Sequence, residues 1–414
     1  MQRPLFSIVI PTRDRPELLR HALRSARLQT CADFEVVVSD NFVARPARAV
    51  FDECADERFR YLTPPQPLSM ADHWEFACGQ ARGEYLTVLI DKTVLLPSVL
   101  ESTRAALTQQ PVDLVSWWNE NYHLDYEQSG DLETGSYGPR FAGRIAPVAI
   151  DTRGELVRRF SMDVRRGAEG VNYCYGKICF GVYSRALVQR IVARCGQLFY
   201  PISPDYTSML PALALADGAL DLGRPGLMSI NAVGVSNGER YSRDARHALQ
   251  FLSSTEAAWG AAHWPIGGLF ASQHNAVAFD YLHMQRRVDE MQDLQLNLAN
   301  LLLRVREDLD AVAIWPDEQT RRSQYSIWES HLAAMPADTR TDIERSVARR
   351  LGGTRRLRQR LRAGLADAKA TVRQMPGVLA LYRKIAGPRA IARQFGSVID
   401  AAACADLHYL QGSK

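Results

Sequence analysis

The chain has 414 residues, 46% hydrophobic and 23% charged, with a formal net charge of +4, which is typical of a soluble globular protein of two or three domains. No apolar run approaches the roughly 20 residues of a membrane span, and the first residues lack the basic and apolar regions of a signal peptide. The seven cysteines are scattered without the pairing of a metal site, which indicates reduced thiols in a cytoplasmic protein.

The N-terminal part of the chain alternates between short apolar runs and helical patterns. The predicted strands are Ser7–Ile10, Glu35–Ser39, Arg58–Leu62, Tyr85–Ile90 and Asp113–Trp118. The predicted helices are Glu17–Leu28, Ser69–Gln80 and Pro97–Thr108. This alternation is typical of an α/β domain with a largely parallel sheet.

Polar side chains follow the first two predicted strands. Thr12 and Arg13 come after the first strand, and Asp40 ends the second. Because ligands of open parallel sheets bind outside the carboxyl ends of the strands, these residues predict a nucleotide site. Asp14 is expected to cap the following helix, with Pro16 in its first turn. The dinucleotide fingerprint G-x-G-x-x-G is absent, and a generic α/β unit without a ligand stays open as an alternative.

The second part of the first domain is less regular. A stretch rich in Tyr, Gly, Asp and Asn, Asn119–Ala142, predicts a long loop, and long loops in compact domains are often functional. The later predicted elements are a strand at Ile178–Tyr183, helices at Ser184–Arg194 and Asp205–Ala216, and a last strand at Leu227–Val235.

From about residue 280 onward the pattern becomes helical. Apolar residues step by threes and fours through Val288, Met291, Leu294, Leu298, Leu301, Val305 and Leu309. This spacing predicts one helix of roughly thirty residues with an apolar stripe. The stripe suits either packing on the first domain or a homodimer through a coiled coil.

The basic residues concentrate near the C-terminus. Between Arg345 and Arg393 there are fourteen Lys and Arg residues and one acid, Asp367, a net charge of +13 that leaves the rest of the chain near −9. Such a split predicts a basic appendage with an anionic partner, such as a membrane surface, a phosphate-bearing acceptor or nucleic acid. A solvated helical face is the alternative. Within the segment, Leu379–Ile385 has an amphipathic pattern.

Four stretches of the first domain together resemble the family 2 glycosyltransferases, which are inverting enzymes of the GT-A fold. They are Phe6–Arg15 (FSIVIPTRDR), Val36–Asn41 (VVVSDN), Gly83–Pro97 (GEYLTVLIDKTVLLP) and Pro204–Gly218 (PDYTSMLPALALADG). They are similar to the family's opening strand and turn, its second strand, its metal-motif strand and the helix that carries its catalytic acid. The resemblance covers about residues 5 to 235 and is carried by the order and spacing of the four stretches.

The resemblance implies roles for individual residues. Asp40 would bind the nucleotide base, and Pro11, Thr12 and Arg13 would line the same pocket. Asp205 would be the general base that deprotonates the acceptor hydroxyl, at a helix start where the helix dipole favours its charged form. A plain helix N-cap is the alternative role for Asp205.

The chain departs from the family at the metal motif. The family has two or three acids where this chain has Ile90, Asp91, Lys92 and Thr93, and Lys92 stands where the metal-binding Asp usually lies. Asp91 is therefore the single candidate ligand for Mg or Mn, and the cofactor is either a divalent cation or none. Lys92, a competent phosphate binder, is expected to contact the donor diphosphate together with Asp91, aided by Arg240 or Arg243. A catalytically inactive relative that binds a nucleotide sugar or glycan is the alternative.

Four further residues are candidates for contact with the sugar, the acceptor or the donor. Trp118 and Asn119 end a strand, where an aromatic face and an amide suit contact with a sugar or acceptor. His73 and Trp74 could reach the donor, although Trp74 also suits the core.

The sequence as a whole predicts a cytoplasmic glycosyltransferase, peripheral at the inner membrane, that acts on a cell-surface or lipid-linked glycan acceptor. No nucleic acid partner is expected, because no motif of a nucleic-acid fold accompanies the basic charge. The predicted division is a GT-A nucleotide-sugar-binding and catalytic domain over 1–240, a helical region over 241–350 and a basic helical tail over 351–414.

Overall fold

The computed structural model of the chain describes residues 3–125, 132–141, 143, 146–162, 173–231, 237–253, 264–351 and 392–411. The strands are Phe6–Thr12 (β1), Phe34–Asp40 (β2), Phe59–Leu62 (β3), Tyr85–Val88 (β4), Thr93–Leu95 (β5), Leu114–Leu124 (β6), Gly135–Tyr137 (β7), Val148–Ala149 (β8), Gly181–Ser184 (β9), Ala219–Asn231 (β10) and Arg393–Phe395 (β11).

Helices surround these strands and continue beyond them. They are Pro16–Arg27 (α1), Arg48–Glu53 (α2), Met70–Gly79 (α3), Val99–Gln109 (α4), Thr152–Phe160 (α5), Arg185–Cys195 (α6), Pro204–Leu215 (α7), Asn237–Arg243 (α8), Ala245–Ser253 (α9), Gln273–Gln285 (α10), Leu298–Ala311 (α11), Glu318–Ala333 (α12), Ala337–Leu351 (α13) and Val398–Gln411 (α14). Among the described helices, none has both the length and the apolarity needed to cross a bilayer.

The strands form one mixed sheet in the order β11-β7-β6-β9-β4-β1-β2-β3, and β10 joins it alongside β5, β6 and β8. β1 pairs in parallel with β2 and β4, and β2 pairs in parallel with β3. β9 runs antiparallel between β4 and β6, whereas β10 lies parallel to β6. The predicted α/β class with flanking helices and a helical C-terminal region is confirmed.

The alternation of side chains along β1 explains how two layers of helices cover the sheet. Ile8 and Ile10 pack in one apolar cluster with Leu23 of α1. Val9, pointing to the opposite face, packs in the other cluster with Trp74 of α3. Because successive residues of a strand face opposite sides, a fully apolar run is stable only where helices cover both faces.

The start of α1 differs from the prediction. Asp14 is not the helix cap, since Arg15 occupies the N-cap position without a capping side chain. The Asp14 carboxylate instead accepts hydrogen bonds from the backbone N–H groups of the loop after β2. Pro16 does begin the helix, as expected.

The predicted loop at Asn119–Ala142 is wrong over its first residues. β6 continues to Leu124 because it pairs with β10 from Asn119–Leu227 to His123–Asn231. Pairing with a distant strand thus overrides a composition that is typical of loops. β7 then pairs back onto β6, and residues 126–131 lie outside the described part of the chain.

The last strand and the preceding turn also differ from the prediction. β10 begins at Ala219 and ends at Asn231, and the predicted continuation at 232–235 lies outside the described residues. A 3₁₀ turn at Ile178–Phe180 precedes the short strand β9.

The predicted thirty-residue helix is also wrong. α10 ends at Gln285, a 3₁₀ turn occupies Asp289–Met291, and α11 starts only at Leu298. The Gln285 side chain donates hydrogen bonds to two carbonyls of the intervening turn, and the Asn297 side chain caps α11. A spacing of threes and fours is compatible with this interrupted path, because the turn keeps the same residues buried.

The apolar stripe of that segment is buried within the single chain. Val288, Met291, Leu301 and Val305 have no exposed surface and join the cluster that includes α3 and α7. The stripe therefore packs on the first domain, and the basis for the predicted homodimer through a long helix is removed.

The C-terminal helix returns to the sheet. α14 packs against α1, β5 and β10, and Asp406 forms a buried ion pair with Arg224 of β10. The predicted amphipathic helix at Leu379–Ile385, and most of the basic segment, fall within residues 352–391, which lie outside the described part of the chain. The division into three domains stays a prediction.

Candidate active site

A cleft of about 470 Å³ opens at the carboxyl ends of β1 and β4 and beside the middle of β6. Among the described residues that line it, the charged side chains are Arg15, Lys92, Arg140 and Asp205. Aromatic rings form much of the remaining wall, including those of Trp118, Phe141, Tyr173 and Tyr206. The cleft therefore combines cations, one carboxylate and flat apolar surfaces.

Asp40 lies at the end of β2, directly opposite Thr12 in the parallel register of β1. Its Oδ2 accepts hydrogen bonds from the Tyr61 hydroxyl at 2.6 Å and from the Ala47 N–H at 2.7 Å. Its Oδ1 is buried and has no hydrogen-bond partner among the described atoms. A buried carboxylate oxygen of this kind is stabilised by an additional donor.

Asp14 ties together the two loops above β1 and β2. Its Oδ1 accepts hydrogen bonds from the backbone N–H groups of Val43, Ala44 and Arg45 at 2.7–3.0 Å. Burial opposes its charge, but these three bonds lower the pKa of the Asp14 carboxyl below its ordinary value. Asp14 adopts a left-handed backbone with φ 56°, which holds the β1–α1 turn in place.

Asp91 lies just after β4, beneath the cleft. Its Oδ2 accepts a hydrogen bond from Thr12 Oγ1 at 3.0 Å, and its Oδ1 is 3.5 Å from Arg15 Nη1. Burial raises the pKa of Asp91, although Arg15 and Thr12 act in the opposite direction. Both carboxylate oxygens are thus engaged by the first loop of the fold.

This donor set does not fit a divalent cation. Mg²⁺ and Mn²⁺ take several oxygen ligands, from one or two carboxylates together with waters and substrate phosphates, but both oxygens of Asp91 are already engaged. Asp91 is the predicted ligand, but its neighbour is Lys92, and across the described ranges no group of three His, Cys, Asp or Glu side chains is arranged to hold a metal ion.

Asp205 lies in the first turn of α7 and reaches the cleft, with its side chain 26% exposed. Its Oδ2 is 3.0 Å from the Nζ of Lys177, a side chain with no exposed surface. The ammonium also lies 3.6 Å from the ring centre of Tyr206 and 4.0 Å from that of Tyr173. Burial opposes the charge of Lys177, but Asp205 and the two rings hold its pKa well above the ordinary value.

Asp280 of α10 fixes the chain that leads into Asp205. Its carboxylate accepts hydrogen bonds from the backbone N–H groups of Ile202 at 2.9 Å and Ser203 at 3.1 Å. Asp280 is completely buried, and burial raises its pKa well above the ordinary value. Since Ser203 is the N-cap of α7, this clamp sets the position of the first helical turn.

Another wall of the cleft is formed by Trp118 and Asn119 of β6. Trp118 donates from Nε1 to Asp221 Oδ2 at 3.0 Å, and its ring packs against Phe141 with centroids 4.7 Å apart. The Asn119 Oδ1 accepts a hydrogen bond from Ser229 Oγ at 2.9 Å. These contacts fix the orientation of both side chains where they line the cleft.

The structure gathers some of the sequence-predicted residues and leaves others apart. Lys92, Trp118, Asn119 and Asp205 line the cleft, whereas Pro11, Thr12, Asp40 and Asp91 are buried behind it and Arg13 is exposed. Arg240 and Arg243 lie exposed on α8, and neither lines the described cleft. Their contact with phosphate remains a prediction.

Sequence reasoning missed Arg15, Arg140, Lys177 and Asp280. Lys177 did carry a signal, because it is a single charge in the apolar and aromatic stretch Tyr173–Phe180. Arg15 stands two residues beyond the predicted pocket residue Arg13. Asp280 and Arg140 carry no local signal, since their partners lie on distant segments.

Residues 7–143 match the family model described as Glycosyl transferase family 2. This segment, about a third of the chain, is therefore similar to the family 2 glycosyl transferases. The segment contains nearly all of β1 and the whole of β2 to β7, and with them Thr12, Arg15, Asp40, Asp91 and Lys92. Asp205 and Lys177 lie beyond the family 2 segment, and their pairing is known from the geometry alone.

Two curated relatives match stretches of 101 and 112 residues of the chain. The chain is 37% identical over 101 residues to the O-antigen biosynthesis protein RfbC of Myxococcus xanthus. This match covers 24% of this chain and 8% of that protein. The chain is also 33% identical over 112 residues to the uncharacterized protein y4gI of Sinorhizobium fredii. This second match covers 26% of this chain and 12% of that protein. The chain thus spans about a tenth of the length of these relatives.

Among solved structures, S. aureus TarS 1–349 in complex with UDP-GlcNAc is 13% identical, with a TM-score of 0.44. The match covers 80% of this chain and 93% of that one. The longer S. aureus TarS structure has a TM-score of 0.42 and is covered over 55% of its length.

Proposed function

We propose that this protein transfers a sugar, with inversion, from a nucleotide-diphosphate donor to a hydroxyl of a cell-surface glycan or lipid-linked acceptor. One observation carries the proposal: the cleft beside the family 2 segment has Arg15 and Lys92 on one side and the ion-paired carboxylate of Asp205 on another. Cations suit the leaving diphosphate, and a carboxylate suits the acceptor proton.

Different residues are proposed to bind the base and the diphosphate of the donor. Asp40 Oδ1 lacks a partner among the described atoms, and it would accept a hydrogen bond from an N–H of a nucleotide base that displaces the side chains covering it. Thr12 lies opposite Asp40 in the register of β1 and β2, between this position and Asp91. The diphosphate then extends toward the side of the cleft that Arg15 and Lys92 line.

The reaction is a single displacement. The acceptor oxygen forms a bond to the anomeric carbon while its proton passes to an oxygen of Asp205. The bond between that carbon and the diphosphate oxygen breaks, and the electron pair leaves with the nucleotide diphosphate. Attack from the face opposite the leaving group inverts the anomeric centre. Asp205 suits this role because the ion pair with Lys177 holds the carboxylate in place while its side chain still reaches the cleft.

The class of acceptor is supported by a relative rather than by the cleft. RfbC of Myxococcus xanthus, an O-antigen biosynthesis protein, is 37% identical over 101 residues. The aromatic wall around Trp118 and Phe141 offers flat surfaces on which sugar rings of such an acceptor can pack.

The test is the Asp205→Asn variant. Using a panel of nucleotide-diphosphate sugars, release of the nucleotide diphosphate is measured beside donor binding by calorimetry. We expect turnover to fall by about 10²–10⁴-fold while donor binding is retained, since positioned base catalysis contributes that much. Asp217→Asn, at a side chain that is 86% exposed, is the matched control and should leave turnover unchanged.

Two outcomes would count against the proposal. Wild-type turnover in Asp205→Asn would remove Asp205 from the reaction. Donor binding without any turnover by the wild type would favour the alternative, a non-catalytic nucleotide-sugar or glycan binding relative, which the single acid at the metal motif suggests.

The basic segment gives a location for this activity. Its net charge of +13 between Arg345 and Arg393 suits an anionic leaflet on the cytoplasmic side, where a lipid-linked acceptor is presented. The full chain should pellet with anionic vesicles at low salt, and replacing Arg355, Arg356, Arg358, Arg360 and Arg362 by Gln should weaken this. Identical pelleting of both proteins would exclude the segment as the membrane contact.

A further inference from the structure

The charges of the cleft are unusual for a metal-assisted transfer. Of the described side chains that line it, Asp205 is the carboxylate, and it already pairs with Lys177 behind the wall. Arg15, Lys92 and Arg140 supply three positive charges. This field repels a free divalent cation and attracts a diphosphate.

Asp91 does not restore a metal site. It is buried, and its two oxygens are engaged by Thr12 at 3.0 Å and Arg15 at 3.5 Å. A metal ion on Asp91 would have to displace these contacts and lie beside the Lys92 ammonium. The ion pair instead orients Arg15, whose side chain remains 28% exposed toward the cleft.

The turn that carries Lys92 is held on both sides. The N–H and hydroxyl of Thr93 both donate to the Ile90 carbonyl, at 2.8 and 2.6 Å. The Lys92 carbonyl accepts a hydrogen bond from the Ile230 N–H at 2.9 Å. These bonds place residue 92, half-buried, at the wall of the cleft.

We propose that Arg15 and Lys92 hold the donor diphosphate in place of a divalent cation, so that donor binding needs no metal. The inference rests on the proposed function and names the chemistry of its donor subsite. Two fixed cations can neutralise the charge that develops on the leaving diphosphate oxygen as its bond to the anomeric carbon breaks. The guanidinium of Arg15 suits two phosphate oxygens, and the ammonium of Lys92 acts as a point charge.

The experiment measures binding of UDP, GDP and dTDP by calorimetry, in EDTA and in manganese. For the wild type we expect one of these nucleotides to bind with a similar Kd under both conditions. Lys92→Ala should weaken that binding about tenfold, which corresponds to ~1.4 kcal/mol. Arg104→Ala, at a side chain of α4 that is 50% exposed and lies outside the cleft lining, is the control and should bind like the wild type.

A reciprocal variant makes the test sharper. Lys92→Asp places a second carboxylate beside Asp91 and should abolish binding in EDTA, with recovery in manganese. Circular dichroism of each variant checks that the fold is kept.

The outcomes separate this inference from the proposed function. Wild-type binding that occurs only in manganese would overturn the metal-free subsite while leaving the transferase proposal standing. Equal binding by the wild type and Lys92→Ala would also overturn it. Absence of binding by all three nucleotides under both conditions would count against both proposals.

Discussion

The Nζ of Lys177 lies 3.0 Å from Oδ2 of Asp205, and the lysine is completely buried while the carboxylate reaches the cleft. The pair joins the turn before β9 to the first turn of α7. A buried ammonium at this distance restricts the rotation of the Asp205 carboxylate. Lys177 is therefore expected to act through Asp205 as a positioning residue.

Replacing Lys177 by Met tests this relationship. Without the ammonium, the Asp205 carboxylate loses the contact that holds it in place, so fewer of its orientations should reach the acceptor hydroxyl. We expect kcat near neutral pH to fall about tenfold or more, with donor Kd unchanged. Lys177→Arg should recover part of the activity, and Lys177→Met added to Asp205→Asn should cause no further loss. A wild-type kcat in Lys177→Met would contradict the assignment.

Asp280 should influence turnover without contacting substrate. An Asn at this position offers one acceptor atom, whereas Asp280 accepts from two backbone N–H groups, those of Ile202 and Ser203. In Asp280→Asn, the amide NH₂ group would face one of these two backbone N–H groups, and two donors cannot form a hydrogen bond. The first turn of α7 should therefore shift. We expect a loss of kcat of about tenfold or more with little change in donor Kd, measured by steady-state kinetics and calorimetry. A drop in donor affinity alone would place Asp280 on the donor side instead.

Asp406→Ala should destabilise the whole α/β unit. The Arg224 guanidinium is fully buried and pairs with Asp406, with further hydrogen bonds to Ser98 Oγ at 2.9 Å and Ser102 Oγ at 3.0 Å. Removing Asp406 leaves a buried cation without its anion, which should lower the free energy of unfolding by about 3–5 kcal/mol.

The control for that experiment is an exposed pair. Arg48 and Asp52 form an ion pair on the surface of α2, and Asp52→Ala should leave the free energy of unfolding nearly unchanged. Both values come from urea denaturation. Equal effects of the two substitutions would mean that α14 does not depend on the buried pair.

His73 makes stability depend on pH. Burial lowers the pKa of His73 to about 4, whereas an unfolded histidine titrates near 6.5. The unfolded state therefore binds a proton first, so the contribution of His73 is complete above pH 6.5 and is lost as pH falls toward 4. The loss across this window is about 3 kcal/mol.

The measurement compares the wild type with His73→Gln, since buried acids whose pKa burial raises, such as Asp91, contribute to the pH dependence with the opposite sign. The unfolding free energy is measured at several pH values between about 7.5 and about 5. The wild type should lose more stability than the variant as pH falls. Parallel curves would show that the pKa of His73 is the same in the folded and unfolded states.

The local sequence determined the strand–turn–helix units of the first domain. The apolar run of β1, the proline at the start of α1 and the acid at the end of β2 all depend on neighbouring residues, because propensity and side-chain periodicity act over a few positions. The same local patterns place Thr12 and Asp40 at the carboxyl ends of adjacent strands. They also reveal the Lys at position 92, where a single residue changes the expected metal motif.

Only the tertiary structure decided which distant groups meet. Lys177 reaches Asp205 because the turn before β9 packs against α7, and Asp280 clamps Ser203 because α10 folds back onto that turn. The break between α10 and α11 and the extension of β6 arise from burial and pairing with remote segments, which override local periodicity and composition. Charges and hydrogen bonds of the site act through space, so their partners are set by the packing of the chain rather than by its order.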